Sequence, residues 1–118
     1  DMKGDVSAAT LEFALSQIPG STTAKEFARR LALGVGEHRE EINRVIERSS
    51  ENWRLDRMAK VDLIILRVAT YELLFCPDIP MNVSIDEALE VGKRYGTEDS
   101  PPFINGVLDH VAQTAGLK

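Results

Sequence analysis

The segment between Arg57 and Phe75 constrains the chain most. Val61, Ile64, Ile65, Val68, Tyr71 and Leu74 fall at helical spacing and form one apolar face. Leu63, Leu66 and Leu73 add apolar residues on other faces. A helix that is apolar on most sides must be surrounded by other elements. The β-branched residues would suit a strand, but the run is far longer than a strand of the usual five or six residues, roughly. The rest of the chain is therefore expected to pack around this helix. At 118 residues there is enough material for one hydrophobic core and one domain over 1–118.

Proline, glycine and capping residues divide the remainder. A first helix is expected over 6–17, with Leu11, Ala14, Leu15 and Ile18 on one face and Pro19-Gly20 as its stop. Thr23-Ala24-Lys25-Glu26 reads as a capping box. It opens a long amphipathic helix to about residue 47, carried by Phe27, Leu31, Val35, His38, Ile42 and Val45, with Gly34 and Gly36 as points of bending. Ser49-Ser50-Glu51-Asn52 breaks the chain, and Trp53 and Leu55 are expected to pack on the domain. Pro77 and Pro80 close the central helix. Ser84-Ile85-Asp86-Glu87 reads as a second capping box, opening a helix with Ile85, Ala88, Leu89, Val91 and Tyr95 inward and Gly96 as terminator. A last helix follows Ser100-Pro101-Pro102, with Phe103, Val107, Leu108 and Val111 as its buried stripe. No alternating strand pattern and no repeat occurs. The fold class is all-α, a compact helical bundle.

Chemistry that needs a reactive cluster finds little support. His38 and His110 are far apart, and His38 lies on an apolar stripe, as a core or boundary residue does. The single cysteine, Cys76, excludes an intramolecular disulfide and a zinc cluster of Cys/His spacing, and it fits a reducing, cytoplasmic setting. No phosphate-cradling glycine loop or nucleophile elbow is present. The chain is read as a non-enzyme without cofactor or metal. No apolar run reaches the roughly 20 residues of a membrane span, and the start has no signal-peptide core.

Three local features look like more than scaffold. Arg54, Arg57 and Lys60 form a basic series at the start of the central helix, with Arg57 and Lys60 one turn apart on a shared face. Arg67, deeper in that helix, has no acidic neighbour at helical spacing, so its partner is expected from another element. The stretch from Gly96 to Asp109 leads from a helix stop through an acidic loop into a new helix, with Ser100 as the expected N-cap. The amides of Phe103 and Ile104 are the donors left for phosphate there, because Pro101 and Pro102 have none. Asn105-Gly106 is unusual inside a helix; Gly106 is read as a close-contact position and Asn105 as a donor to neighbouring backbone. The formal charge of −5 gives no overall basic footprint, so nucleic-acid binding needs a local patch.

Trp53-Arg54-Leu55-Asp56-Arg57, Ile65-Leu66-Arg67-Val68-Ala69-Thr70-Tyr71-Glu72-Leu73, Ile79-Pro80, Asn82-Val83-Ser84-Ile85-Asp86-Glu87-Ala88 and Phe103-Ile104-Asn105-Gly106-Val107-Leu108-Asp109 resemble the NusB family of bacterial transcription antitermination factors. The resemblance covers 51–114 well and extends loosely over 27–35. It implies a compact helical bundle that pairs with the ribosomal protein NusE and binds the boxA element of nascent RNA. That assembly joins the RNA polymerase antitermination complex and promotes read-through, notably in ribosomal RNA operons. Carried over residue by residue, the RNA-facing set is Asp56, Lys60, Asp62, Asp99, Ser100 and Phe103. Family members normally carry an arginine-rich first helix, which this sequence lacks at its start; apolar surface left bare by its loss would be covered by that helix or by a homodimer. The resemblance leaves two alternatives: the RNA-binding N-terminal domain of a ribosomal RNA cytosine methyltransferase, and a bundle that binds protein alone.

Overall fold

The computed structural model describes residues 32–50 and 54–118. The expected first helix at 6–17, the capping box at Thr23, the apolar positions Phe27 and Leu31, and Trp53 lie outside the described residues. Residues 32–37 are helical, followed by α1 (Arg39–Ser49), a 3-10 turn (Leu55–Arg57), α2 (Lys60–Phe75), α3 (Met81–Tyr95) and α4 (Ser100–Thr114). There is no strand among the described residues. The fold is an all-α bundle. Its centre is α2, which packs against α1, α3 and α4.

The long helix expected up to residue 47 is interrupted only at His38. Backbone bonds run across the interruption, from His38 N to Gly34 O (3.1 Å) and from Ile42 N to His38 O (2.9 Å). Glu40 and Glu41 in the first turn and Arg48 in the last complement the dipole of α1. Ile42 and Ile46, one turn apart, are fully buried. The Ser50 hydroxyl closes the end by donating to the Ile46 carbonyl at 2.8 Å. Gly34 is needed for close approach: a side chain there would collide with the Tyr71 ring. His38 lies half-buried and stacks on Phe75, with ring centroids 4.0 Å apart, in a cluster that includes Tyr71.

The central helix begins three residues later than expected. Met58 and Ala59 are extended, which separates Arg57 in the 3-10 turn from Lys60 at the start of α2. The two cations therefore do not share a helix face. The face that is most deeply buried also differs from the expected one. Of the expected face only Ile65 is buried, together with Leu63, Leu66, Ala69 and Leu73, while Val61, Ile64, Val68, Tyr71 and Leu74 are only partly covered. A helix with apolar residues on most sides leaves its inner face open to this ambiguity, since periodicity singles out no side. Arg67 is 2% exposed and its Nε donates to Asn43 Oδ1 of α1 at 2.9 Å. The partner does come from another element, and it includes a neutral carboxamide.

Between α2 and α3 the backbone turns through Pro77 and Pro80, with Ile79 N donating to Cys76 O. Pro80, extended at ψ 141°, is the N-cap of α3, so the helix starts a turn before the expected capping box. Ser84 is consequently not a cap. It is buried with Ile85, Ala88 and Gly92 on the inner face. Glu72 of α2 is also buried, at 5% exposed. Burial raises its carboxyl above the usual 4.5, the charge of Glu87 adds to the rise, and the Ser84 hydroxyl, close by but outside hydrogen-bond geometry, offsets part of it. Because the folded value lies above the unfolded one, the stability this group contributes is full below pH 4.5. It is lost as the pH rises through the folded value. Glu72→Gln is therefore expected to be more stable than the parent at pH 7, with the gap closing as the pH falls towards 4.5. Urea denaturation of both proteins across that range checks the direction.

In α4, Ile104, Val107, Leu108, Val111 and Ala112 form the buried stripe. The helix ends in a glycine cap: Gly116 has φ 78°, its amide donates to Gln113 O, and the Leu117 amide reaches back to Ala112 O at 2.9 Å. Gly106 does not serve helix packing. A Cβ built there meets nothing within 4 Å, and Gly106 and Asn105 are both exposed. Gly106→Ala is expected to stabilise the fold by about 0.5–1 kcal/mol, the usual cost of glycine in a helix interior. Thermal unfolding of the two proteins measures it.

Candidate nucleic-acid interface

The start of α2, the end of α3 and the start of α4 meet at one end of the bundle. Gly92, in the last turns of α3, marks the junction. A Cβ there would lie 2.9 Å from Ile104 Cδ1, 3.7 Å from Ser100 Cβ and 3.9 Å from Ile65 Cδ1. The glycine thus lets three helices close on one another, and it places the two RNA-facing segments expected from the sequence, around Lys60 and around Phe103, at the same end.

The loop between α3 and α4 is tightly fastened. Gly96 ends α3 with φ −98°, so its value lies in space and not in handedness: a side chain would run into Ser100 and into the Gly92 carbonyl. Ser100 is 1% exposed, and its Oγ accepts from the Thr97 amide at 3.0 Å. The Asp99 amide donates to Thr97 Oγ1 at 3.2 Å, and the Asp99 carbonyl accepts from the Phe103 amide at 3.2 Å. Asp99 is the N-cap residue by backbone position, one residue before the expected Ser100.

These bonds overturn the expected phosphate site at the head of α4. The Ser100 amide is taken by Thr97 O, Pro101 and Pro102 have none, and the Phe103 amide is taken by Asp99 O. An anion there would have to displace bonds that build the loop.

The six residues expected to face RNA divide by exposure. Asp56, Lys60 and Asp99 are exposed, and Phe103 is half-buried and packed against the hydrophobic core. Asp56 is gripped by Arg54, with Nε to Oδ1 and Nη2 to Oδ2 both at 3.3 Å. Such an exposed pair holds geometry more than it adds stability. Ser100 and Asp62 are buried. Asp62 lies in the first turn of α2, where the positive end of the helix dipole favours a carboxylate, and its Oδ1 has no hydrogen-bond partner.

The sequence reading overlooked Lys93 and Arg94, the basic residues in the last turn of α3, both exposed. Their position just before a glycine stop was the available signal. His38 is used in the aromatic stack and His110 is exposed on α4. Among the described residues, no group of three or more His, Cys, Asp or Glu is placed to hold a metal ion. No described helix is long and apolar enough to cross a membrane.

A helical bundle with a half-buried aromatic residue and exposed cations at one end is a candidate macromolecule-binding module. Comparison with known proteins makes this specific. The NusB family model matches residues 1–113. The transcription antitermination protein NusB of Geobacter sulfurreducens is 53% identical over 115 residues, covering 97% of this chain and 83% of the relative. The solved structure of T. maritima NusB superposes with a TM-score of 0.74 at 48% identity, over 86% of this chain and 74% of that one. A chain in the crystal structure of a plectonemic RNA supercoil superposes with the same TM-score at 28% identity, over 84% and 71%. The chain belongs to the NusB family, whose members are transcription antitermination proteins and not enzymes.

Proposed function

We propose that this protein binds the boxA element of nascent RNA together with the ribosomal protein NusE. The pair joins the RNA polymerase antitermination complex in the cytoplasm and promotes read-through, notably in ribosomal RNA operons. The observation that carries this reading is the shared end of the bundle, where half-buried Phe103 stands with exposed Lys60 and Asp99. An aromatic face takes an unstacked base, as single-strand binding requires. Lys60 neutralises phosphate. Asp99 accepts from a base amino group and, by repelling phosphate, favours selectivity over affinity. Asp56 is held in place by Arg54 for a similar polar contact. Ser100 and Asp62, being buried, act by shaping the loop and the head of α2. The likeness to a chain found in an RNA structure supports the RNA part of the reading.

Titrating boxA RNA with the protein, with and without NusE, tests it. Saturable RNA binding that tightens with NusE supports the reading. Binding to NusE with no RNA affinity supports a protein-only role in its place.

A further inference from the structure

We propose that Lys93 and Arg94, at the end of α3, bind backbone phosphates of the same RNA, so that its strand runs over α3 and not over the head of α4. The inference rests on the RNA-binding reading and deepens it. Phosphates near Phe103 need a cationic partner, and the obvious candidate has been removed. The head of α4 has no free amide in its first turn, because Ser100 and Phe103 donate within the loop and two prolines stand between them. The charged side chains of the loop itself, Glu98 and Asp99, are exposed, acidic and repel phosphate.

Among the described residues, the exposed cations of the segments that lead into α2 and out of α3 are Arg54, Arg57, Lys60, Lys93 and Arg94. Arg54 is engaged by Asp56. Lys93 and Arg94 are exposed, and no ion pair or hydrogen bond holds either of them among the described residues. Glu90, one turn earlier on α3, does not capture them, although its spacing would allow a helical ion pair. They precede the loop that carries Asp99 by only a few residues, and Gly92 fixes the end of α3 against Ser100 and Ile104 of α4. A base stacked on Phe103 therefore finds acid on the α4 side and two uncommitted cations on the α3 side. A role confined to complementing the helix dipole would affect stability slightly and RNA not at all.

The test is a titration of a boxA RNA oligonucleotide at several salt concentrations, using the full chain and its Lys93→Gln/Arg94→Gln double variant. Loss of two phosphate contacts makes the plot of log affinity against log salt shallower by about 1.4 and weakens binding on the order of tenfold at 0.1 M salt. Because both residues are exposed, the unfolding midpoint stays nearly unchanged. An unaltered slope in the double variant, with binding still weakened by Lys60→Gln, overturns the proposal and leaves the RNA reading standing. Absence of RNA binding by the parent protein overturns both.

Discussion

Leu108→Ala is expected to cost about 3–5 kcal/mol of folding stability. Leu108 is fully buried in α4, the helix that packs against α1, α2 and α3 at once. Truncation removes the transfer energy of its side chain and leaves a cavity that three neighbouring helices cannot close together. A domain of this size is stable by only about 5–15 kcal/mol, so roughly a fifth or more of the total is at stake. Urea denaturation should show the midpoint falling with little change in slope, the sign of altered stability with unaltered exposure on unfolding. Leu33, 60% exposed, is the control: Leu33→Ala should change stability by less than about 0.5 kcal/mol. Equal effects at the two positions would mean that the core is not where α4 meets its neighbours.

The architecture was legible in the sequence wherever one physical signal stood alone. The apolar stripe Val107-Leu108-Val111 and the stop at Gly96 give α4 and the end of α3 directly. Arg67 declared its need for a partner outside its own helix, and Asn43 meets it. Errors came where two mechanisms compete for one residue. Ser84 and Glu87 have the spacing of a capping box, but Pro80 sets its own φ and has no amide to satisfy, so it begins α3 a turn earlier and leaves Ser84 inside. Gly106 in a helix suggested close packing, yet the glycines that serve packing are Gly34 and Gly92, each set against a large side chain that only the fold brings near. No local pattern distinguishes these cases.

The site was legible in part for the same reason. Phe103, Asp99 and Lys60 could be named from the resemblance, and they lie at one end of the bundle. Their exposure could not be read. Ser100 was expected as the N-cap and in the RNA-facing set, but it is buried and its hydroxyl accepts from the Thr97 amide. The amide of Phe103 looked available and is spent on Asp99. Hydrogen bonds inside a loop depend on its conformation, and composition does not supply that. Lys93 and Arg94 gain interest only once Gly92 is seen to bring the end of α3 against the head of α4.

The second large effect concerns Phe103. Its ring is packed partly on the core, so removing the whole side chain would confuse stability with binding. Phe103→Leu keeps an apolar body in place and removes the aromatic face. Stacking of one base on an aromatic ring is worth about 1–3 kcal/mol, which corresponds to a loss of roughly 5- to 150-fold in RNA affinity. The most direct measurement is the affinity of parent and Phe103→Leu proteins for boxA RNA in the presence of NusE, with the unfolding midpoint of each recorded alongside. A loss in that range, at nearly unchanged stability, is the predicted result. Equal RNA affinity in the two proteins would contradict the claim that this end of the bundle is the surface through which the protein acts.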